Sequence, residues 1–162
     1  MTGDRKPRVY PDLKFSEGWG EFSPDGKWMA YISDESGRME VYISPFVLSG
    51  AEGAAVRAGK WQVSTAGGTH PRWSPDGKEL YFLDPQGDMM AAPIDLAGAA
   101  LTPGTPVKLF HAPIWAGGQN YATPQYDVAR DGRFLINVEL ESAAPQSSPI
   151  ILIQNWNPLN KQ

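Results

Sequence analysis

The chain has 162 residues, 41% hydrophobic and 20% charged, which is long enough to bury a core and too apolar for disorder. Fourteen basic against eighteen acidic residues leave a net charge of -4 with no stripe of Lys or Arg, so no nucleic acid partner is expected. The absence of cysteine excludes disulfides, thiolate zinc sites and cysteine nucleophiles together.

From the start of the chain, Met1 to Arg8 carry charge without an apolar centre, unlike a signal peptide. No apolar run approaches the roughly 20 residues that span a bilayer, so no direct membrane insertion is expected. The compartment is left open by the sequence. Further along, three segments align without gaps. They are Phe22-Ser-Pro-Asp-Gly-Lys27, Trp73-Ser-Pro-Asp-Gly-Lys78 and Val128-Ala-Arg-Asp-Gly-Arg133. Their Asp-Gly steps begin at Asp25, Asp76 and Asp131, spaced 51 and 55 residues apart.

Each repeat has one local order. A short strand leads into a tight turn in which Pro presets φ, Asp accepts backbone hydrogen bonds and Gly takes positive φ. A second strand follows, at Trp28–Ser33, Glu79–Leu83 and Phe134–Val138. A further turn, around Glu35–Arg38 or Asp84–Asp88, leads to a third strand at Glu40–Ser44, Met89–Ile94 or Pro149–Ile153. Fourth strands close two of the repeats at Trp61–Ser64 and Val107–Phe110. No segment sustains a 3.6-residue period, so an all-β fold with little or no helix is expected. The insertion Val47 to Gly59 is rich in Ala and Gly and is expected to be a surface loop with little to bind.

Trp73-Ser-Pro-Asp-Gly-Lys78, preceded by Gly67-Gly68 and followed by Tyr81-Phe82, resembles the repeat of TolB-like β-propellers, a WD-like family that lacks the Trp-Asp signature. The stretch from Phe22 through Phe46 to Trp61–Ser64 is similar to propellers of acidobacterial proteins, some of them appended to Ser/Thr kinases as sensor domains. The resemblance runs from about Gly3 to Trp156, and the third repeat departs from it where Ala129-Arg130 replace Ser-Pro. It implies about three four-stranded antiparallel blades. The outer strand 7–13 would belong to another blade, followed by blades 18–65 and 70–111 and a last blade 124–156 lacking its outer strand. It further implies a segment of a larger bacterial protein, periplasmic or otherwise extracytoplasmic, or half of a homodimer whose two copies close a six-bladed ring by strand exchange.

No hydrolase elbow, Walker loop or dinucleotide fingerprint is present. His70 and His111 have no ligand spacing, and Asp84–Asp88 and Asp34-Glu35 with Glu40 lack the Asp-x-Asp-x-Asp-Gly pattern of a calcium loop. The expectation is a chain that is not an enzyme, with no catalytic residue, metal or cofactor, that binds a protein or peptide at one propeller face. The other reading is a propeller that gates a prolyl-oligopeptidase-type serine peptidase, its catalytic domain lying elsewhere.

Two groups of residues are candidates for binding. Aligning the repeats puts Trp19, His70 and Gln125 at one position of the first strand, with Glu21, Arg72 and Asp127 equivalent two residues on. Close to a central channel, the alternating charge suits a polar ligand; as ion pairs between neighbouring blades, it is cohesive. The long connection Ala112–Pro124 holds Trp115 and Tyr121 beside Gln119 and Asn120, rings and amides suited to a peptide or sugar, or a Trp115 plug in a blade interface.

Overall fold

The computed structural model describes residues 15–46, 48–49, 54–55, 59–95, 101–114, 122–138 and 150–153. All of its regular structure is β, and no helix occurs among the described residues. The strand expected at 7–13 lies outside them.

The Ser-Pro-Asp-Gly segments fold as their chemistry requires. In the first, Ser23 Oγ donates to Asp25 Oδ1 at 2.6 Å and accepts from Trp28 N at 3.0 Å, while Lys27 N donates to Asp25 Oδ1 at 3.1 Å. Gly26 takes φ 70°, which a side chain would resist. The second turn repeats these bonds through Ser74, Asp76 and Glu79 at 2.8, 3.1 and 2.9 Å. Each Ser-to-Asp bond holds the carboxyl below its ordinary pKa, with the following Lys backbone N–H adding to it. In the third turn Ala129 has no hydroxyl to offer; Asp131 Oδ1 still accepts from Arg133 N at 3.3 Å, and its Oδ2 pairs with Arg133 Nε at 2.8 Å. That turn is also one residue tighter, because Val128 pairs with Phe134 where Phe22 pairs with Met29 and Trp73 with Leu80.

Around these turns the chain builds three antiparallel sheets in succession. The first has strands β1 (Glu17–Phe22), β2 (Trp28–Ser33), β3 (Glu40–Pro45) and β6 (Trp61–Gln62), in that order. Between β3 and β6, β4 (Leu48–Ser49) and β5 (Ala54–Ala55) pair with each other, so the segment expected as a plain loop contains a small hairpin. The second sheet has β7 (Thr69–Trp73), β8 (Glu79–Leu83) and β9 (Asp88–Asp95). Its outer side is shared: β11 (Val107–His111) pairs with the first half of β9 and β10 (Thr102–Pro103) with its end. The third has β12 (Tyr126–Val128), β13 (Phe134–Asn137) and β14 (Ile150–Ile153).

The sheets pack face to face, and alternation decides which side chain goes where. Ala30, Ile32, Val41 and Ile43 of the first sheet meet Leu80, Phe82, Ala92 and Ile94 of the second in one buried cluster. Tyr81, Leu83, Met89 and Ala91, on the other face of the second sheet, meet Tyr126, Phe134 and Ile136 of the third. Strand β8 is therefore apolar on both faces, as its run Leu80-Tyr-Phe-Leu83 requires. Each such side chain contributes about 1.5–3 kcal/mol on burial.

Gly67 and Gly68 let the chain leave the first sheet and press against it. A Cβ on Gly68 would stand 2.6 Å from Ser64 Oγ and 3.0 Å from Val41 Cγ2. Beside them Glu40, 1% exposed, accepts from Ser64 Oγ and, at 3.0 Å, from Gly67 N, and pairs with Arg38 Nε at 2.9 Å. A buried carboxylate persists only with such partners.

Candidate binding edge of the first strands

Strands β1 and β7 are each bulged at the same place. Gly18 faces Ile32 and Glu21 faces Ala30, so Trp19 and Gly20 share one opposite residue. In β7, Thr69 faces Leu83 and Arg72 faces Tyr81, leaving His70 and Pro71 against one residue. Proline suits that position, since a bulge spares it a ladder hydrogen bond. At the bulges Trp19 has φ 55° and His70 φ 52°, the left-handed region that non-glycine residues rarely enter. These bends aim the two rings at one another across adjacent sheets, with centroids 4.5 Å apart and planes tilted by 47°.

His70 is 1% exposed and both ring nitrogens have partners. Nε2 lies 3.0 Å from the Thr123 carbonyl, which can only accept, so Nε2 carries the proton; Nδ1 lies 3.0 Å from Thr69 Oγ1. Burial pushes the imidazole below its ordinary pKa and the Arg72 charge adds to this, partly offset by the Thr123 carbonyl.

Two residues on, the charges converge. Arg72 Nη1 is 3.3 Å from Glu21 Oε2 and donates to the Pro71 carbonyl at 3.1 Å, while its Nε is 3.6 Å from Asp127 Oδ1. Its guanidinium also lies 6.0 Å from the centre of the Trp19 ring. The arginine is the most sheltered of the three, 16% exposed against 36% for Glu21 and 75% for Asp127. Two carboxylates thus share one guanidinium, leaving one net negative charge at the edge. Burial raises the Glu21 pKa, outweighing the opposing pull of Arg72, and Asp127 raises it further.

The structure therefore brings Trp19, Glu21, His70, Arg72 and Asp127 together from three sheets. Gln125, at the position matching Trp19 and His70, is 3% exposed and turned inward, its amide donating to Thr123 Oγ1 at 3.1 Å. Trp115, Gln119, Asn120 and Tyr121 lie outside the described residues. Two groups at this edge escape a reading by alignment. Tyr126 OH donates to the His70 carbonyl at 2.8 Å, and Trp73 Nε1 to the Glu21 carbonyl at 3.2 Å. Their signal was a polar-tipped aromatic next to two of the three aligned charges, Trp73 after Arg72 and Tyr126 before Asp127.

The other titratable candidates are engaged elsewhere. Asp84 Oδ1 accepts from the backbone N–H groups of Gln86 and Asp88 at 2.9 and 2.8 Å, and Asp34 Oδ1 from that of Ser16 at 2.9 Å. Asp88 pairs with Lys108 at 2.6 Å and His111 at 2.7 Å. Among the described residues no three His, Asp or Glu side chains gather as a metal site would require.

No family model matches this sequence, and no curated protein matches it. Among solved structures the chain is similar to a "putative 6-phosphogluconolactonase" from Bacteroides uniformis, at 18% identity and a TM-score of 0.47, over 74% of this chain and 32% of that one. It is also similar to TolB from Acinetobacter baumannii, at 17% identity and a TM-score of 0.33, over 86% of this chain and 42% of that one. The chain thus spans well under half the length of either. The expectation that it is not an enzyme is corrected here: a structure it resembles is named as an enzyme, and a missing catalytic motif does not exclude activity. The likeness itself assigns no reaction and no catalytic residue to this chain.

Proposed function

We propose that this chain is a segment of a TolB-like β-propeller from a larger bacterial protein, a TolB-like or kinase-linked sensor protein. Its bulged first strands would form a face that binds a protein or peptide. Support for the architecture comes from three successive antiparallel sheets, stacked face to face, each turned by an Asp-Gly bend. In that arrangement β1, β7 and β12 are the strands nearest the axis.

The observation that carries the binding reading is the pair of strained residues. A left-handed conformation costs a non-glycine residue roughly 1–2 kcal/mol, and it persists only where the surroundings hold it. Two such residues at matched positions, their rings in contact, set an aromatic pair beside a charged trio with the Asp127 carboxylate open to solvent. With His70 buried behind it, the Trp19 ring flanked by charged groups of both signs suits a peptide, whose backbone and side chains offer donors and acceptors.

The test is selection of binders from a random peptide library, followed by amide NMR mapping. Selected peptides should shift Trp19, Arg72 and Asp127, and Asp127→Ala should weaken them about tenfold while the thermal midpoint holds. Peptides that shift only other surfaces would overturn the reading.

A further inference from the structure

The charged trio on the first strands is unevenly matched, and the mismatch selects among peptides. Arg72 meets Glu21 through Oε2 and Asp127 through Oδ1, and Asp127 Oδ1 also accepts from Val128 N at 2.9 Å. The second oxygens, Glu21 Oε1 and Asp127 Oδ2, have no partner among the described residues. One guanidinium on the second sheet thus serves two carboxylates, one from the first sheet and one from the third, and each keeps an acceptor open.

Nothing close by restores the balance. Lys27, Lys78 and Arg133, which follow on the adjoining turns, pair with Asp25, Asp76 and Asp131 of their own turns. His70 stays neutral, because burial lowers its pKa. Burial likewise raises the Glu21 pKa by more than Arg72 lowers it, so that carboxylate is short of positive charge. The net charge of -4 on the whole chain draws cations toward it in general. A lysine or arginine side chain brings the missing charge on a methylene stem, and the half-buried Trp19 ring, 6.0 Å from the Arg72 guanidinium, gives that stem an apolar flank. We infer that the edge formed by β1, β7 and β12 selects peptides bearing a lysine or arginine side chain, whose charged tip pairs with the open oxygens of Glu21 and Asp127. This inference rests on the peptide-binding reading and narrows it to one class of peptide.

The probes are hexapeptides of alanine and glycine, capped at both ends, with one central Lys, Arg, Gln or Glu, titrated into the chain and followed by carboxyl and amide NMR. The Lys and Arg peptides should shift the Glu21 and Asp127 carboxyl signals and bind about fivefold more tightly than the Gln peptide, with the Glu peptide weakest. Saturation with the Lys peptide should lower the Glu21 titration midpoint, since a nearby cation favours the carboxylate. Asp127→Asn, a change at an exposed side chain, should cut the Lys-over-Gln preference to about twofold or less, as should about 0.5 M salt. Equal binding of the Lys and Gln peptides at these residues would overturn the inference and leave the peptide-binding reading standing. Library-selected peptides that shift Trp19, Arg72 and Asp127 yet contain no Lys or Arg would do the same. Peptides that bind only at other surfaces would overturn both.

Discussion

His70 is a residue whose setting makes the stability of the chain depend on pH. Folded, its pKa lies below the ordinary 6.5, because burial and Arg72 disfavour the imidazolium. As pH falls past that value the unfolded chain takes up a proton the folded chain refuses, so stability present above about pH 6.5 is lost on acidification. The thermal midpoint should drop between about pH 7 and 5, and drop less in His70→Asn, since Asn also tolerates a left-handed backbone. Glu21 acts in the opposite sense: its pKa is raised above 4.5, so its contribution is present at low pH and lost as pH rises. Glu21→Gln should therefore deepen the acid loss, which the same melting series checks. Gly68→Ala belongs here too. The added carbon would meet Ser64 and Val41 below contact distance, and urea unfolding should show a loss of about 1–3 kcal/mol. Alignment of the repeats was enough to group Trp19 with His70 and Arg72 with Glu21 and Asp127. It could not show the left-handed backbone at two of these positions, because a bulge depends on pairing with a neighbouring strand and leaves no residue type of its own.

The hairpin turns were the most legible elements, because Ser, Pro, Asp and Gly close them through bonds within six residues. Ser74→Ala removes a hydroxyl that both donates to Asp76 and accepts from Glu79 N, and should cost about 1 kcal/mol in denaturant unfolding. It should also let the Asp76 pKa rise toward its ordinary 3.8, observable by carboxyl NMR titration. The turn at Asp131 has no such hydroxyl, and its carboxylate is held instead by Arg133, whose Nε lies 2.8 Å from Oδ2. Less legible were the outer strands. Trp61–Ser64 reads as a four-residue strand, yet only Trp61 and Gln62 pair with β3, because Val63 and Ser64 turn to cap Val41 and Glu40.

Across the molecule, Arg72 is one of the few polar ties joining all three sheets. Arg72→Met should leave two carboxylates facing each other across the edge, and the variant should melt lower at low salt, with the deficit shrinking as salt screens the repulsion. The order of the sheets followed from the repeat spacing alone; their face-to-face packing did not, because spacing carries no direction. Two sheets have a strand beyond their third, whereas β14 carries none among the described residues. If a second copy supplies that strand, as the homodimer reading holds, light scattering on a sizing column should give twice the chain mass, and a monomer would refute it. The double-sided second sheet has a thermodynamic corollary. Among the described residues its neighbours share no apolar cluster of their own, so cooperativity between them passes through the second sheet, whose β8 and β9 carry side chains into both clusters. Amide deuterium exchange should then be slowest at Leu80 to Leu83 and faster toward both flanks, with either flank able to fray while the other stays intact.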